Sequence, residues 1–195
     1  MITFLEGTIA EKNPAYVVLD CNGIGYLIHI PLFTFSRIPD SGKLRLHTYL
    51  QIREDAHSLY GFSTREELNL FKHLISVSGV GANTAIMILS SMSPDEIRQA
   101  IVGGNTGLLQ SIKGIGAKSA QRIIIDLKDK LEKEGVIAEN LHHSNNTIKE
   151  EALSALVMLG FARNVASRAL EKILKSEEAQ DLKVEDVIKI ALKNM

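Results

Sequence analysis

The strongest constraint on this chain is that part of it occurs twice. Setting Leu74–Leu89 against Leu109–Ile124, at an offset of 35 residues, gives seven identities in 16 positions and four conservative pairs. Each copy reads as helix, hydrophobic-Gly-hydrophobic-Gly turn, helix, so the fold must contain the same supersecondary unit twice. Gly79 and Gly81, and likewise Gly114 and Gly116, let the backbone turn tightly and approach a ligand with no Cβ in the way. Val80 and Ile115 point inward and pin each turn to its helices. The second helix of each copy then begins just after Gly81 or Gly116. Its first amides have no intrahelical partner, and the macrodipole places about half a positive charge there. That is an anion site made of backbone, and phosphate is its natural occupant.

Each copy resembles the helix-hairpin-helix motif of DNA-binding proteins, which grips phosphates without reading bases. Ser78, Gly79, Val80, Gly81 and Asn83 form the first candidate grip. Lys113, Gly114, Ile115, Gly116, Lys118 and Arg122 form the second. Lys118 and Arg122 lie one turn apart on the second helix, where the first copy has Asn83 and Met87, so the first grip is expected to be the weaker electrostatically. Neither turn is a nucleotide-binding loop. No Gly-x-x-x-x-Gly-Lys-Ser/Thr string is present, and Thr84 and Ser119 stand where a dinucleotide fingerprint needs its third glycine. The chain is therefore not expected to hydrolyse ATP itself.

Around this repeat the texture changes twice. Residues 1–62 read as β: Ile2–Ala10, Tyr16–Asp20, Ile24–Ile30, Leu44–Ile52 and Ser58–Phe62 are rich in β-branched and aromatic residues and separated by turn signals. Asn22-Gly23 suits a two-residue hairpin, because both positions need positive φ. Five short strands in so few residues suit a small closed barrel of OB type. Residues 63–134 read as helical, with capping boxes expected at Ser63–Glu66 and Ser93–Glu96 and a long helix over Lys113–Lys133. Residues 135–147 show no period and turn polar, the best candidate for a flexible linker. Helices are then expected over Glu150–Leu159, Ala162–Lys175 and Val184–Lys193, giving a three-helix bundle over 148–195. The fold class is thus multidomain α+β: an OB-type barrel, an all-α tandem helix-hairpin-helix domain and a C-terminal three-helix, UBA-like bundle.

Composition removes several classes. In 195 residues, 45% are hydrophobic, enough for packed cores. No apolar run approaches 18 residues, and Met1–Glu6 lacks a basic n-region and reads as a strand rather than a signal peptide. The single cysteine, Cys21, excludes an intrachain disulfide and a Cys-rich zinc site, and suits a reducing cytoplasm. His142-His143 lack the i, i+4 spacing of a helical metal pair, so no metal and no cofactor is expected. Net charge is -1, with 5 basic and 6 acidic residues in 1–64, 9 and 8 in 65–134, and 8 and 9 in 135–195. No region is a basic patch in bulk. Any grip on DNA must come from helix N-termini and a few placed cations, with modest salt dependence.

In order along the chain, Gly23–Tyr26, Arg53–Phe62, Leu70–Ile75, the two Gly-h-Gly turns, Asp126–Asp129 and Ala155–Phe161 resemble the RuvA family of Holliday-junction recognition proteins over nearly the whole length. The resemblance implies a fourfold-symmetric tetramer, or two stacked face to face, that binds a four-way DNA junction without sequence preference. It implies a RuvB-type hexameric ATPase as partner and leaves open whether a RuvC-type resolvase joins. It also implies that Glu54 and Asp55 form an acidic pin near the crossover, repelling phosphates and disfavouring a continuous duplex. The motor would dock on the C-terminal domain through Leu156, Leu159 and Phe161; for Leu156 a core role stands beside the contact role. The sequence departs from the family at Asn83, where many members have Lys, and at Ala117, where a second basic residue is common. Its linker is also short for the family. Two other readings remain at this stage: a helix-hairpin-helix glycosylase or structure-specific nuclease, and a protein scaffold without a DNA role.

Overall fold

A computed structural model describes residues 2–140, 144–174 and 183–193. His142 and His143 fall outside them. The chain divides into two compact units, Met1–Glu132 and Lys133–Met195.

The first unit opens with strands β1 (Phe4–Asn13), β2 (Tyr16–Cys21), β3 (Ile24–His29), β4 (Lys43–Ile52) and β5 (His57–Phe62), closed into a barrel in the order β1-β2-β3-β5-β4. All pairs are antiparallel except β3 with β5, where Ile28 faces Leu59. Asn22 and Gly23 both take positive φ, 57° and 88°, as the hairpin requires. Alternate residues of β2, Val17 and Leu19, face inward with Ile28, Ile30 and Leu46. The sequence reading contained no helix between β3 and β4. One is there: α1 (Leu32–Arg37) follows Pro31 and packs Phe35 and Ile38 against the barrel core. Six residues are too few to show a 3.6-residue period, which is why the pattern hides it. His47 on β4 is held below the usual imidazole pKa by burial, with Arg65 and Arg45 adding repulsion.

The helical part runs α2 (Arg65–Ser76), α3 (Ala82–Ser91), α4 (Pro94–Val102), α5 (Thr106–Gln110) and α6 (Ala117–Asn140). Ser93 and Glu96 form the expected reciprocal capping box. At α2 the cap is one residue later than expected. Thr64, not Ser63, accepts from the backbone N–H of Glu67 at 3.2 Å, and Glu67 takes the place expected of Glu66. The core of this part includes Phe62, Phe71, Leu74, Ile88, Ile101, Ile123 and Leu127, and it reaches into the barrel through Tyr60 and Phe62 of β5. Phe71 on α2 sits in an aromatic cluster, its ring centroid 5.5 Å from Tyr49, 5.2 Å from Tyr60 and 4.9 Å from Phe62.

The segment read as a flexible linker, 135–147, is helical at both ends. α6 continues to Asn140, and α7 (Ser144–Met158) starts before residue 147. Gly135 costs a helix about 1 kcal/mol against Ala but does not end it, and Val136–Glu139 carries no proline to do so. In the second unit α7, α8 (Arg163–Leu174) and α9 (Val184–Lys193) pack around Ala152, Leu156, Ala166, Leu170, Val187 and Ala191. The stripe read on α9 is the buried one, apart from Leu192 at its exposed edge.

Candidate nucleic-acid interface

The sequence repeat is also a repeat of hydrogen bonds. In the first copy the N–H of Val77 donates to Leu74 O (3.1 Å), that of Val80 to Val77 O (3.0 Å) and that of Ala85 to Gly81 O (2.9 Å). In the second, Ile112 donates to Leu109 O (3.3 Å), Ile115 to Ile112 O (3.1 Å) and Ala120 to Gly116 O (3.0 Å). Every bond recurs 35 residues on. Val80 and Ile115 are each 5% exposed, so they anchor the turns from inside and offer a ligand only their backbone.

The two glycines of each turn do different work. Gly79 and Gly114 have φ of 88° and 89°, the left-handed region that favours glycine. Gly81 has an ordinary extended backbone, φ -86° and ψ 170°, and a Cβ added there meets nothing within 4 Å; the same space is open at Gly116. The protein itself sets no need for glycine at these two positions, which leaves close approach from outside as the physical reason. Capping supports this. Helices α2, α4 and α5 have side-chain caps from Thr64, Ser93 and Asn105, whereas α3 starts on Gly81 with none. Its first amides have no intrahelical partner, and the positive end of the helix dipole lies behind them.

The copies also reach across to one another. Arg122 Nη1 donates to Ser78 O of the first turn at 3.2 Å. Its counterpart Met87 places its terminal methyl 3.9 Å from the position a Cβ on Gly114 would take, in the second turn. The sequence assigns Arg122 to the second turn; in the fold its guanidinium lies against the first, the turn that carries Asn83 in place of a cation. Ser78, Gly79, Lys118, Ser119, Arg122 and Asp126 line an open cleft of about 440 Å³ here. Asp126 sets one carboxylate against the two cations. Lys113, Lys118 and Asn83 are exposed. Spacing along one helix could not have shown that Arg122 crosses to the other hairpin.

Glu54 and Asp55 occupy the exposed tip between β4 and β5, in a turn closed by Arg53 N–H to Ala56 O at 2.8 Å. Among the described residues neither carboxylate forms an ion pair.

In the second unit the three candidate contact residues separate. Leu156 is 0% exposed and belongs to the bundle core, which corrects its assignment as a contact. Phe161 is half-buried against that core. Leu159 is 61% exposed. Gly160, with φ 98°, ends α7: its N–H donates to Val157 O (3.0 Å) and that of Phe161 to Leu156 O (3.1 Å), a Schellman arrangement. Val157 and Met158 before the turn and Val165 on α8 are also exposed, Met158 at 87%. The sequence reading missed these three. Four consecutive apolar residues, Leu156–Leu159, were the available signal, since one helix face cannot bury them all.

Comparison with known proteins covers the chain from end to end. The family models for the RuvA N terminal domain, the SAM-like Helix-hairpin-helix tandem and the RuvA C-terminal domain match residues 1–61, 71–129 and 147–195. A protein of Christiangramia forsetii is 53% identical over 195 residues, all of both chains. One of Flavobacterium psychrophilum is 49% identical, again over all of both, and one of Cytophaga hutchinsonii 46% over 99% of each. Each of these relatives is called Holliday junction branch migration complex subunit RuvA.

Proposed function

Because the chain belongs to the RuvA family, we propose that it is the DNA-binding subunit of a branch migration complex, holding a four-way junction open and square for a RuvB-type ATPase. The single observation that carries this is the pair of open glycine turns at Gly81 and Gly116, each preceding a helix at a position where an added Cβ meets nothing within 4 Å. Backbone amides there take phosphate oxygens. Lys113 and Lys118 add cations at the second turn, and Arg122 adds one at the first.

Phosphates carry no sequence information, so the preference is for shape. Two grips per subunit in a tetramer make eight, two for each arm. Glu54 and Asp55 at the barrel tip put carboxylates where a continuous duplex would have to pass. In this reading residues 1–62 form the barrel that carries the pin, 63–134 the gripping domain, 135–147 the connection and 148–195 the motor contact. Leu159, Phe161, Met158 and Val165 supply the apolar surface for the motor. The subunit is not itself catalytic: ATP hydrolysis belongs to the motor, with the complex working in the cytoplasm in recombination, repair and the SOS response. No helix among the described residues is long and apolar enough to cross a membrane.

The test is at the pin. Glu54→Asn with Asp55→Lys narrows the gap between junction and linear-duplex affinity by about tenfold, about 1.4 kcal/mol, mainly by raising duplex affinity. Gel-shift titration of both substrates measures it, and an unchanged ratio counts against the pin.

A further inference from the structure

One carboxylate is buried away from the two hairpin turns. Glu67, in the first turn of α2, is 1% exposed. Its Oε2 accepts from the hydroxyl of Thr34 on α1, and its Oε1 from the hydroxyl of Ser63 and, at 3.4 Å, from that of Thr64. Arg37 Nη1 lies 4.0 Å from Oε1, with half its side chain in solvent. We infer that Glu67 is a positioning residue for junction recognition: by locking α1 to α2 it fixes the first hairpin relative to the acidic turn. The inference rests on the junction reading above.

Packing alone does not call for a glutamate here. A buried carboxylate loses its hydration and needs several donors to offset that, and an apolar residue of similar size often stabilises as well or better. What a carboxylate supplies and a methyl group cannot is direction. The neighbouring contact is apolar: one turn further along the same face of α2, Phe71 packs among Tyr49, Tyr60 and Phe62 of the barrel. Rings in tilted and edge-on contact hold the two parts together but resist sliding weakly. Three hydroxyls converging on one carboxylate, Thr34 from α1 and Ser63 and Thr64 from the start of α2, set the angle.

The connections run to the right places. α1 grips α2 through Thr34 and Glu67, and it grips α3 through the N–H of Leu32, which donates to Ser90 Oγ at 3.0 Å. α2 and α3 are the helices that flank the first hairpin. On the other side, β4 and β5 bear Glu54 and Asp55 at their tip, and β5 leads directly into Ser63 and Thr64. From Glu67 to Ser76, where α2 ends at the hairpin, is about 14 Å at 1.5 Å per residue, so a rotation of about 10° at the lock moves the hairpin by about 2 Å. Hydrogen bonds to phosphate tolerate only a few tenths of an ångström.

Two variants test this in the full chain. Glu67→Gln keeps the shape and replaces one acceptor by a donor. Thr34→Val keeps the shape and removes only the bond from α1. Each is titrated with a four-way junction and with linear duplex, alone and combined with Glu54→Gln and Asp55→Asn. We expect the junction-to-duplex affinity ratio to fall at least about threefold, mainly through a rise in duplex affinity as for loss of the pin, with no further fall in the pinless background. A ratio that stays put while the melting temperature drops overturns the inference. So does an equal fall with and without the pin, or a parallel loss of duplex binding, which would place the damage in the phosphate grips. Should Glu67→Gln not fold, Thr34→Val decides on the same criteria; failure of both to fold makes the lock structural and overturns the inference. A wild-type chain with no junction preference contradicts the junction reading itself, a result distinct from all of these.

Discussion

Gly81→Asp combined with Gly116→Asp abolishes junction binding and leaves the melting temperature unchanged or slightly raised. The fold tolerates both changes because both positions are open: a Cβ meets nothing within 4 Å, and Gly81 has an extended backbone that any residue adopts. Asp is moreover a good N-cap and satisfies an orphan amide at the start of α3. That same bond is what removes the ligand. A carboxylate takes up the amides and puts a negative charge where a phosphate must sit, at two sites in every subunit. With charge-assisted hydrogen bonds at about 1.5–3 kcal/mol each, the expected loss exceeds about a hundredfold in affinity. Gly81→Ser with Gly116→Ser, which adds bulk and a cap without charge, should fall between. The other glycine of the turn gives the opposite signature. Gly79→Ala forces a left-handed φ on alanine, costs about 1 kcal/mol of stability, and is read in the melt before it is read in the gel. Full-strength junction binding by the double Asp variant would contradict the phosphate-grip argument.

Leu159→Lys removes stimulation of the ATPase while junction binding and stability remain at wild-type level. Leu159 is exposed just past the end of α7, so a lysine there is solvated in the free protein and, in the proposed reading, is buried only when the motor docks. Leu156→Ala, three residues away, behaves otherwise: it leaves a cavity in the small bundle and costs about 2–5 kcal/mol, a large share of what so small a core supplies. A chain ending before Ser144 lacks the whole second core and should still bind junctions, since the hairpins and the pin belong to the unit Met1–Glu132. ATPase rate with and without junction DNA is the measurement. Stimulation that survives the truncation would move the motor contact elsewhere.

Much of this was legible in the residues, and the exceptions follow a rule. The tandem hairpins could be read because the signal is local: a glycine that must turn, an apolar residue that must be buried and a glycine that must stay bare recur at fixed spacing. The strands were legible to within a few residues at their ends, since alternation and the Asn22-Gly23 turn are also local. What escaped depends on contacts distant in sequence. Arg122 reads as part of its own helix until the fold carries it to Ser78, 44 residues away. Glu67 reads as one more acid at a helix start until Thr34 closes on it from 33 residues back. α1 is too short for a period, and the helix through Gly135 shows that loss of an apolar pattern does not by itself mark the end of a helix. Leu156 and Leu159, three residues apart, would share one face of a continued helix; they separate because α7 ends at Met158 and the Schellman turn at Gly160 leaves Leu159 exposed.

The central claim is recognition by shape through backbone grips, in a chain whose net charge is -1. Competition between an unlabelled linear duplex and a labelled four-way junction with arms of equal sequence tests it most directly. The junction is expected to be held against at least about a tenfold excess of duplex base pairs, a preference of about 1.4 kcal/mol or more, whatever the arm sequence. Equal competition by linear duplex, or a preference that follows the arm sequence, would contradict it.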